Sequence, residues 1–198
     1  MTKFLLIRHA TTNTVGKRLS GRTPGVHLNE QGLQQAQYLA ERLANIPLTA
    51  IYSSPLERAV ETAAPIAKSH GLETIIHEDF LEIDFGHWTD HSFDALQHQK
   101  QFQLFNAFRS ATRIPGGELM LEAQARIVAG LQQFCMQHPN EVVAVVSHSD
   151  LIKAAVTYYA GIPLDLFQRI EISPASVSIV EVYEETARIM LVNDVGRI

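Results

Sequence analysis

Met1-Thr2-Lys3-Phe4-Leu5-Leu6-Ile7-Arg8-His9-Ala10-Thr11-Thr12 is the stretch on which the reading of the chain turns. Phe4 to Ile7 form a short apolar run between Lys3 and Arg8. Its length suits a strand buried on both faces, as in a parallel sheet, better than a helix. The run stops at Arg8-His9. In open α/β sheets ligands bind in the crevice beyond the carboxyl ends of the strands. A guanidinium and an imidazole side by side at such an end suit an anion, above all a phosphate. Taken alone, an Arg-His pair after a strand is ordinarily a solvated loop.

Two further stretches change that balance. Thr49-Ala50-Ile51-Tyr52-Ser53-Ser54-Pro55 reads as a second strand ending in a turn, with Arg58 in the first turn of the helix that follows. Val142 to Val146 reads as another strand, and it ends in Ser147-His148. If these strands and the first are parallel neighbours, Arg8, His9, Arg58 and His148 converge on one crevice. The alternative for Arg58 is a surface arginine paired with Glu57 or Glu61. For His148 it is a satisfied structural histidine.

Composition sets the frame. The 198 residues are 46% apolar and 19% charged, ordinary for a globular protein. That length suits one domain over 1–198 with a sizeable core. No stretch has the length needed to span a membrane, and nothing at the start resembles a signal peptide, so a cytoplasmic protein without membrane partners is expected. The lone Cys135 excludes an internal disulfide and reads as a small core residue. The net charge of −5 argues against a nucleic-acid partner. Its distribution is uneven. Residues 1–29 hold Lys3, Arg8, Lys17, Arg18 and Arg22 and no acidic residue, while the remainder holds 11 basic and 21 acidic residues. A cationic segment on an acidic protein suits a small anionic ligand.

The rest of the chain alternates strands and helices. A long Thr-, Gly- and Pro-rich loop runs from Ala10 to Leu28, with turns at Ser20-Gly21 and Pro24-Gly25. Asn29 caps a helix to about Asn45, with Leu33, Ala36, Ala40 and Leu43 as its core stripe. Pro55 opens the next helix, with Ala59, Ala63, Ile66 and Ala67 buried and Gly71 at its stop. Thr74 to Ile76 is a short strand, and Glu78 to His91 is irregular. A helical pattern from Ser92 to Arg109, with Phe93, Leu96, Phe102, Phe105 and Phe108, is expected to form a small cap at about 86–115. A helix over Glu118–His138 ends at Pro139, and another spans Leu151–Ala160. Arg169–Ile172, Ser176–Tyr183 and Ala187–Val192 read as closing strands, the last two a hairpin whose edge offers a homodimer contact.

Five segments in order, L-I-R-H-A-T-T, S-S-P-L-E-R-A-V-E-T-A, L-E-I-D-F-G-H-W, P-G-G-E and V-V-S-H-S-D, resemble the histidine phosphatase superfamily, also called phosphoglycerate-mutase-like. The resemblance covers essentially the whole chain. It implies an α/β three-layer sandwich, a mostly parallel central sheet with helices on both faces. It also implies a metal-independent phosphomonoester hydrolase without a cofactor, acting on a small phosphorylated metabolite. His9 is the expected nucleophile, forming a phosphohistidine. Arg8 and Arg58 are the expected phosphate clamps, since a guanidinium fork matches phosphate oxygens in bidentate fashion. Adjacent guanidinium groups disfavour protonation of His9, as attack on phosphorus requires. His148 is expected to contact the transferring phosphoryl group, as an imidazolium stabilising transition-state charge. The resemblance assigns the leaving-group proton to Glu82, whose pKa Leu81, Ile83 and Phe85 would raise by desolvation. On sequence alone Asp84 competes with it.

The chain departs from the family pattern in places. The usual Gly-Glu after Arg-His is Ala10-Thr11, and a common phosphate-contacting Asn is Val15, for which Asn13 or Thr12 are the available substitutes. Ser20-Gly21 fits a second phosphate-site turn, so Thr12, Ser20, Gly21 and Arg22 are weaker substrate-binding candidates. Arg109 and Arg113 join Arg22 as possible contacts for a second anionic group. Asp150 stands where the family commonly has glycine, either tuning specificity or capping a helix. His87 and His91 have helical ligand spacing but lack a zinc-protease motif, and two arginines in the pocket would repel a cation, so no metal is expected. Two alternatives to hydrolysis are a phosphoglycerate mutase and a non-catalytic phospho-ligand binder. Family mutases carry a longer cap and a C-terminal tail. Here about thirty residues separate Phe85 from Pro115, which favours hydrolysis. A pure binder has no need of the acid Glu82.

Overall fold

The computed structural model describes residues 1–196. In chain order the elements are β1 (Thr2–Arg8), α1 (Glu30–Leu43), β2 (Leu48–Ser53), α2 (Glu57–His70), β3 (Thr74–Ile76), α3 (Phe93–Leu96), α4 (Lys100–Ala107), α5 (Met120–Gln137), β4 (Val142–Ser147), α6 (Ser149–Ala160), β5 (Val177–Val182) and β6 (Ala187–Asp194). Short 3₁₀ turns cover Glu78–Phe80, Gly86–Trp88 and Leu164–Arg169. The strands form one six-stranded sheet in the order β3-β2-β4-β1-β5-β6. The β3-β2-β4-β1 part is parallel, and β5 and β6 add antiparallel pairs at one side.

The opening strand is buried on both faces. Phe4 and Leu6 point into a core shared with α5 and α6, together with Val143 and Val145. Leu5 and Ile7 point into the opposite core, with Ala36, Leu39, Ala63 and Ile66 of α1 and α2. Each such side chain contributes about 1.5–3 kcal/mol on burial, so a charge in place of Leu6 would break the strand. Helices on both faces of a mostly parallel sheet give the three layers expected from the sequence.

Three local expectations are corrected. Leu33 is exposed, and the buried face of α1 is Gly32, Ala36, Leu39, Ala40 and Leu43. The helix is rotated because Gly32 sits on the Thr11 carbonyl, where a Cβ would lie 2.1 Å from the oxygen. The pattern over 92–109 is two short helices, α3 and α4, and not one. Leu96 and Phe105 are buried, whereas Phe93 and Phe108 face solvent. Phe102 and Phe105 pack edge-on against Trp88, at 5.3 and 5.4 Å between centroids. Arg169–Ile172 is not a strand. Arg169 closes a 3₁₀ turn, and the Ile172 carbonyl that a ladder would use accepts from Arg8 Nη1 at 2.6 Å. No helix among the described residues is long and apolar enough to cross a membrane.

Candidate active site

The parallel register explains why distant residues meet. Arg8 lies opposite Ser147 across β1 and β4, and Ser53 lies opposite Val146 across β2 and β4. The three strands therefore end together, and Arg8, His9, Arg58 and His148 gather at their carboxyl ends. Thr62 of α2 ties two of these ends. Its hydroxyl accepts from the Ala10 N–H at 2.9 Å and donates to the Arg58 carbonyl at 2.7 Å.

His9 is buried, and its Nδ1 lies 2.8 Å from the Ala10 carbonyl. A carbonyl can only accept, so Nδ1 carries the proton and Nε2 keeps its lone pair. Burial, then the Arg58 and Arg8 guanidinium groups, hold His9 well below the usual histidine range. It is a neutral imidazole with one free nucleophilic nitrogen.

Arg8 and Arg58 flank it. Arg58 Nη2 donates to the Gly21 carbonyl at 2.7 Å, which fixes the guanidinium against the turn at Ser20-Gly21. Gly21 has a positive φ of 51° and its missing Cβ lets Phe85 and Thr89 approach, so a side chain there would be strained. Arg8 Nε and Arg58 Nη1 are buried without a partner, as is His148 Nδ1. Buried donors of this kind are costly unless something accepts from them. A phosphoryl group has the oxygens to do so.

His148 differs from expectation. It is fully buried, and burial together with Arg58, His9 and Arg8 pushes its pKa well below the usual range. It is therefore neutral and not the imidazolium expected from the sequence. Its Nε2 lies 2.8 Å from Ser54 Oγ, which also accepts the Leu56 N–H at 3.4 Å. Among the described residues the Ser54 hydroxyl has no other acceptor, so its proton goes to Nε2. That leaves the ring proton on Nδ1, 3.8 Å from Glu82 Oε2.

Glu82 sits in the irregular stretch after the first 3₁₀ turn, its side chain 13% exposed. Burial first, then the negative charge of Asp150, push its pKa up to about 7, against the opposing pull of Arg58, the Ile83 N–H and Arg8. The loop is held by groups to which the sequence reading gave no role. Arg126 Nη1 gathers the carbonyls of Glu78, Asp79 and Leu81. Glu118 of the P-G-G-E segment accepts the Asp84 N–H at 2.9 Å. Gly117 lies against the Asp84 carbonyl, where a Cβ would be 2.2 Å from the oxygen. Asp84, the competing carboxylate, caps the Gly86 N–H instead.

The cavity over these groups measures about 590 Å³. Thr12, Ser20 and Gly21 line it, as do Val15 and Thr14. Thr14 is an addition: its hydroxyl lies 2.8 Å from Thr12 Oγ1 and accepts from Ser20 Oγ at 2.7 Å. Asn13 is exposed. Arg22 is a correction. It turns away from the cavity, donating to the Glu82 carbonyl at 2.8 Å and pairing with Glu118 at 2.9 Å, so it holds the acid's loop. Arg113 is exposed and paired with Glu122. Residues of the 86–115 segment form the far wall through Phe93, Phe102, Phe105, Asn106 and Arg109. No group of three metal-ligating side chains occurs among the described residues.

Comparison with known proteins fits this geometry. The profile of the histidine phosphatase superfamily (branch 1) matches residues 4–195. Phosphoserine phosphatase 1 of Hydrogenobacter thermophilus is 31% identical over 98% of this chain and 92% of its own length. The probable phosphoglycerate mutase GpmB of Salmonella choleraesuis is 30% identical over 94% of this chain and 87% of its own. The chain spans 54% of the length of a Mycobacterium tuberculosis relative to which it is 34% identical. The solved structure of YhfR from Bacillus stearothermophilus superposes with a TM-score of 0.92 at 28% identity, covering 99% of this chain and 98% of the other. A chain-long profile match, relatives above 30% identity and a shared fold around the Arg8-His9 crevice lead to one conclusion: this protein is an enzyme of the phosphatase type, a member of branch 1 of the histidine phosphatase superfamily.

Proposed function

We propose that the chain is a phosphomonoester hydrolase that works without a metal through a phosphohistidine at His9, on a small phosphorylated metabolite. The observation that carries this reading is the pairing of opposite protonation states in one cavity. His9 is held neutral while Glu82 is pushed up to about 7. A nucleophile and an acid ready together serve bond cleavage, and binding alone requires neither.

In the proposed reaction Arg8 and Arg58 bind the phosphoryl oxygens, and the His148 Nδ1–H donates to one of them. His9 Nε2 attacks phosphorus as the ester P–O bond breaks. Glu82 gives its proton to the departing alkoxide. The resulting carboxylate then takes a proton from water, whose oxygen attacks the phosphohistidine. The P–N bond breaks, inorganic phosphate leaves and Glu82 is again protonated.

The competing mutase reading draws on the relative of that name, and one assay separates the two. Phosphate release is followed with EDTA present across sugar phosphates, phosphoglycerates, phospho-amino acids, nucleotides and p-nitrophenyl phosphate, alongside phosphoryl transfer between positions. Hydrolysis predicts release in EDTA and, on rapid quenching, a protein-bound phosphate that is acid-labile and base-stable. His9→Ala removes both. Full activity in His9→Ala overturns the nucleophile, and interconversion of phosphoglycerates without release favours the mutase.

A further inference from the structure

The cavity holds one feature that the proposed reaction does not use. Arg109 follows α4 and is among the most buried cations of the protein, its side chain 5% exposed. Its guanidinium lies between two phenyl rings, 4.4 Å from the centroid of Phe105 and 4.3 Å from that of Phe167. Nη1 donates to Asp150 Oδ2 at 3.2 Å, and Nη2 donates to Asn106 Oδ1 at 2.7 Å. Nε is buried without a partner. Asp150 belongs to the first turn of α6, directly behind His148.

The charges lining the cavity can be taken one by one. The cations are Arg8, Arg18, Arg58 and Arg109. Arg8 and Arg58 face His9 and serve the phosphoryl group. Arg18, at the rim, is paired with Asp90 at 2.7 Å. Arg109 is paired with Asp150. The remaining carboxylates are Glu82 and Glu171. Beyond the phosphoryl end, every lining cation is thus matched by an acid, Glu171 adds a further carboxylate, and the rest of the wall is Phe85, Phe93, Phe102, Phe105, other apolar side chains and neutral polar groups. A second anionic group on the substrate would meet no uncompensated positive charge and would lie near Asp150.

We propose that the Arg109–Asp150 pair sets the specificity of this cleft, directing it to phosphomonoesters whose leaving group carries no second anionic group. Asp150 neutralises an arginine that would otherwise serve as a carboxylate site. The inference rests on the proposed hydrolase reading only for where the phosphoryl group sits.

The test uses two ligands alike except at one carbon: glycerol 3-phosphate, which ends in CH₂OH, and 3-phosphoglycerate, which ends in a carboxylate. Binding is measured by titration calorimetry on His9→Ala protein, which cannot turn them over. Glycerol 3-phosphate is expected to bind about tenfold tighter, the worth of a charged hydrogen bond lost or opposed. In an Asp150→Asn background the preference should shrink by about tenfold or reverse. Contacts common to the two phosphates cancel in this ratio. Phosphoethanolamine, which ends in an ammonium group, should bind the Asp150-intact protein no more weakly than glycerol 3-phosphate, a comparison that does not depend on the variant folding. The proposal is overturned if 3-phosphoglycerate binds as tightly as or more tightly than glycerol 3-phosphate, if folded Asp150→Asn leaves the ratio unmoved, if phosphoethanolamine is rejected, or if none of the three binds. Turnover of glycerol 3-phosphate by protein with His9 intact reports separately. The expected binding order without phosphate release would leave the specificity standing and remove the hydrolase reading.

Discussion

Glu82→Gln should make this protein more stable at alkaline pH while damaging its chemistry. The folded protein raises the Glu82 pKa from an ordinary 4.5 to about 7. Between those values the folded state keeps a proton that the unfolded chain has released. The unfolded chain therefore binds fewer protons, and stability falls as pH rises through that window. The contribution is fully present below about 4.5 and lost by about 7 and above. The size of the loss follows from the raised value: about 3 kcal/mol, at about 1.4 kcal/mol for each tenfold in proton affinity. Glutamine is nearly isosteric, keeps an oxygen to accept the Ile83 N–H, and never ionises. At pH 4 the two proteins should melt within about a degree of each other. At pH 8 the Gln variant should melt about 6–12 °C higher, at about 2–4 °C per kcal/mol for a chain of this size. The assay is a thermal melt by circular dichroism at both pH values in buffer free of phosphate and other multivalent anions. A Tm difference independent of pH would refute the claim that burial beside Asp150 holds Glu82 protonated. The same variant should slow poor leaving groups more than p-nitrophenyl phosphate, and equal slowing would remove Glu82 as the acid.

Arg58→Ala should lower kcat/KM by about 100–1000-fold, since it removes a phosphate fork and lets the Gly21 turn drift. Steady-state kinetics on any accepted substrate checks this. Gly117→Ala should destabilise the protein by about 1–3 kcal/mol, because its Cβ meets the Asp84 carbonyl. Thermal melts will show the loss, and poor leaving groups should suffer first because Glu82 moves with that loop. Ser54→Ala leaves His148 Nε2 without its partner and frees the ring to change tautomer. A fall in kcat of about tenfold is expected from an orphaned buried nitrogen, with recovery in Ser54→Thr.

Most of the fold was legible because β1, β2 and β4 write their burial into apolar runs and their function into their last residues. The strand ends gave His9, Arg8, Arg58 and His148, and the structure brings all four together. Glu82 was reachable only through family likeness, since a carboxylate in an irregular stretch has no periodicity to mark it and Asp84 stands two residues away. Groups that act through backbone atoms stayed hidden. Thr62, Arg126 and Glu118 hold carbonyls and N–H groups of distant segments, and no spacing in sequence encodes such contacts. Arg22 was misjudged for a related reason: its charge suggested an anion, but the tertiary fold brings Glu118 to it. The neutral state of His148 likewise depends on burial and on cations contributed by three other elements, Arg58 of α2, Arg8 of β1 and Arg126 of α5. Leu33 looked like core because helical periodicity cannot reveal a rotation set by one glycine resting on Thr11.

The place of β1 in the sheet bears on how the protein is made. The first strand is flanked by β4 at Val142–Ser147 and by β5 at Val177–Val182. Neither neighbour exists when Phe4 to Ile7 leave the ribosome. At roughly 5–20 residues per second, the nascent chain carries an unpaired apolar strand for on the order of ten seconds before β4 is synthesised. Until then Arg8 and His9 have no Ser147 beside them, and no shorter nascent fragment can assemble the crevice. Synthesis thus delays assembly of the crevice until β4 has emerged, and it leaves Phe4 to Ile7 unpaired until then.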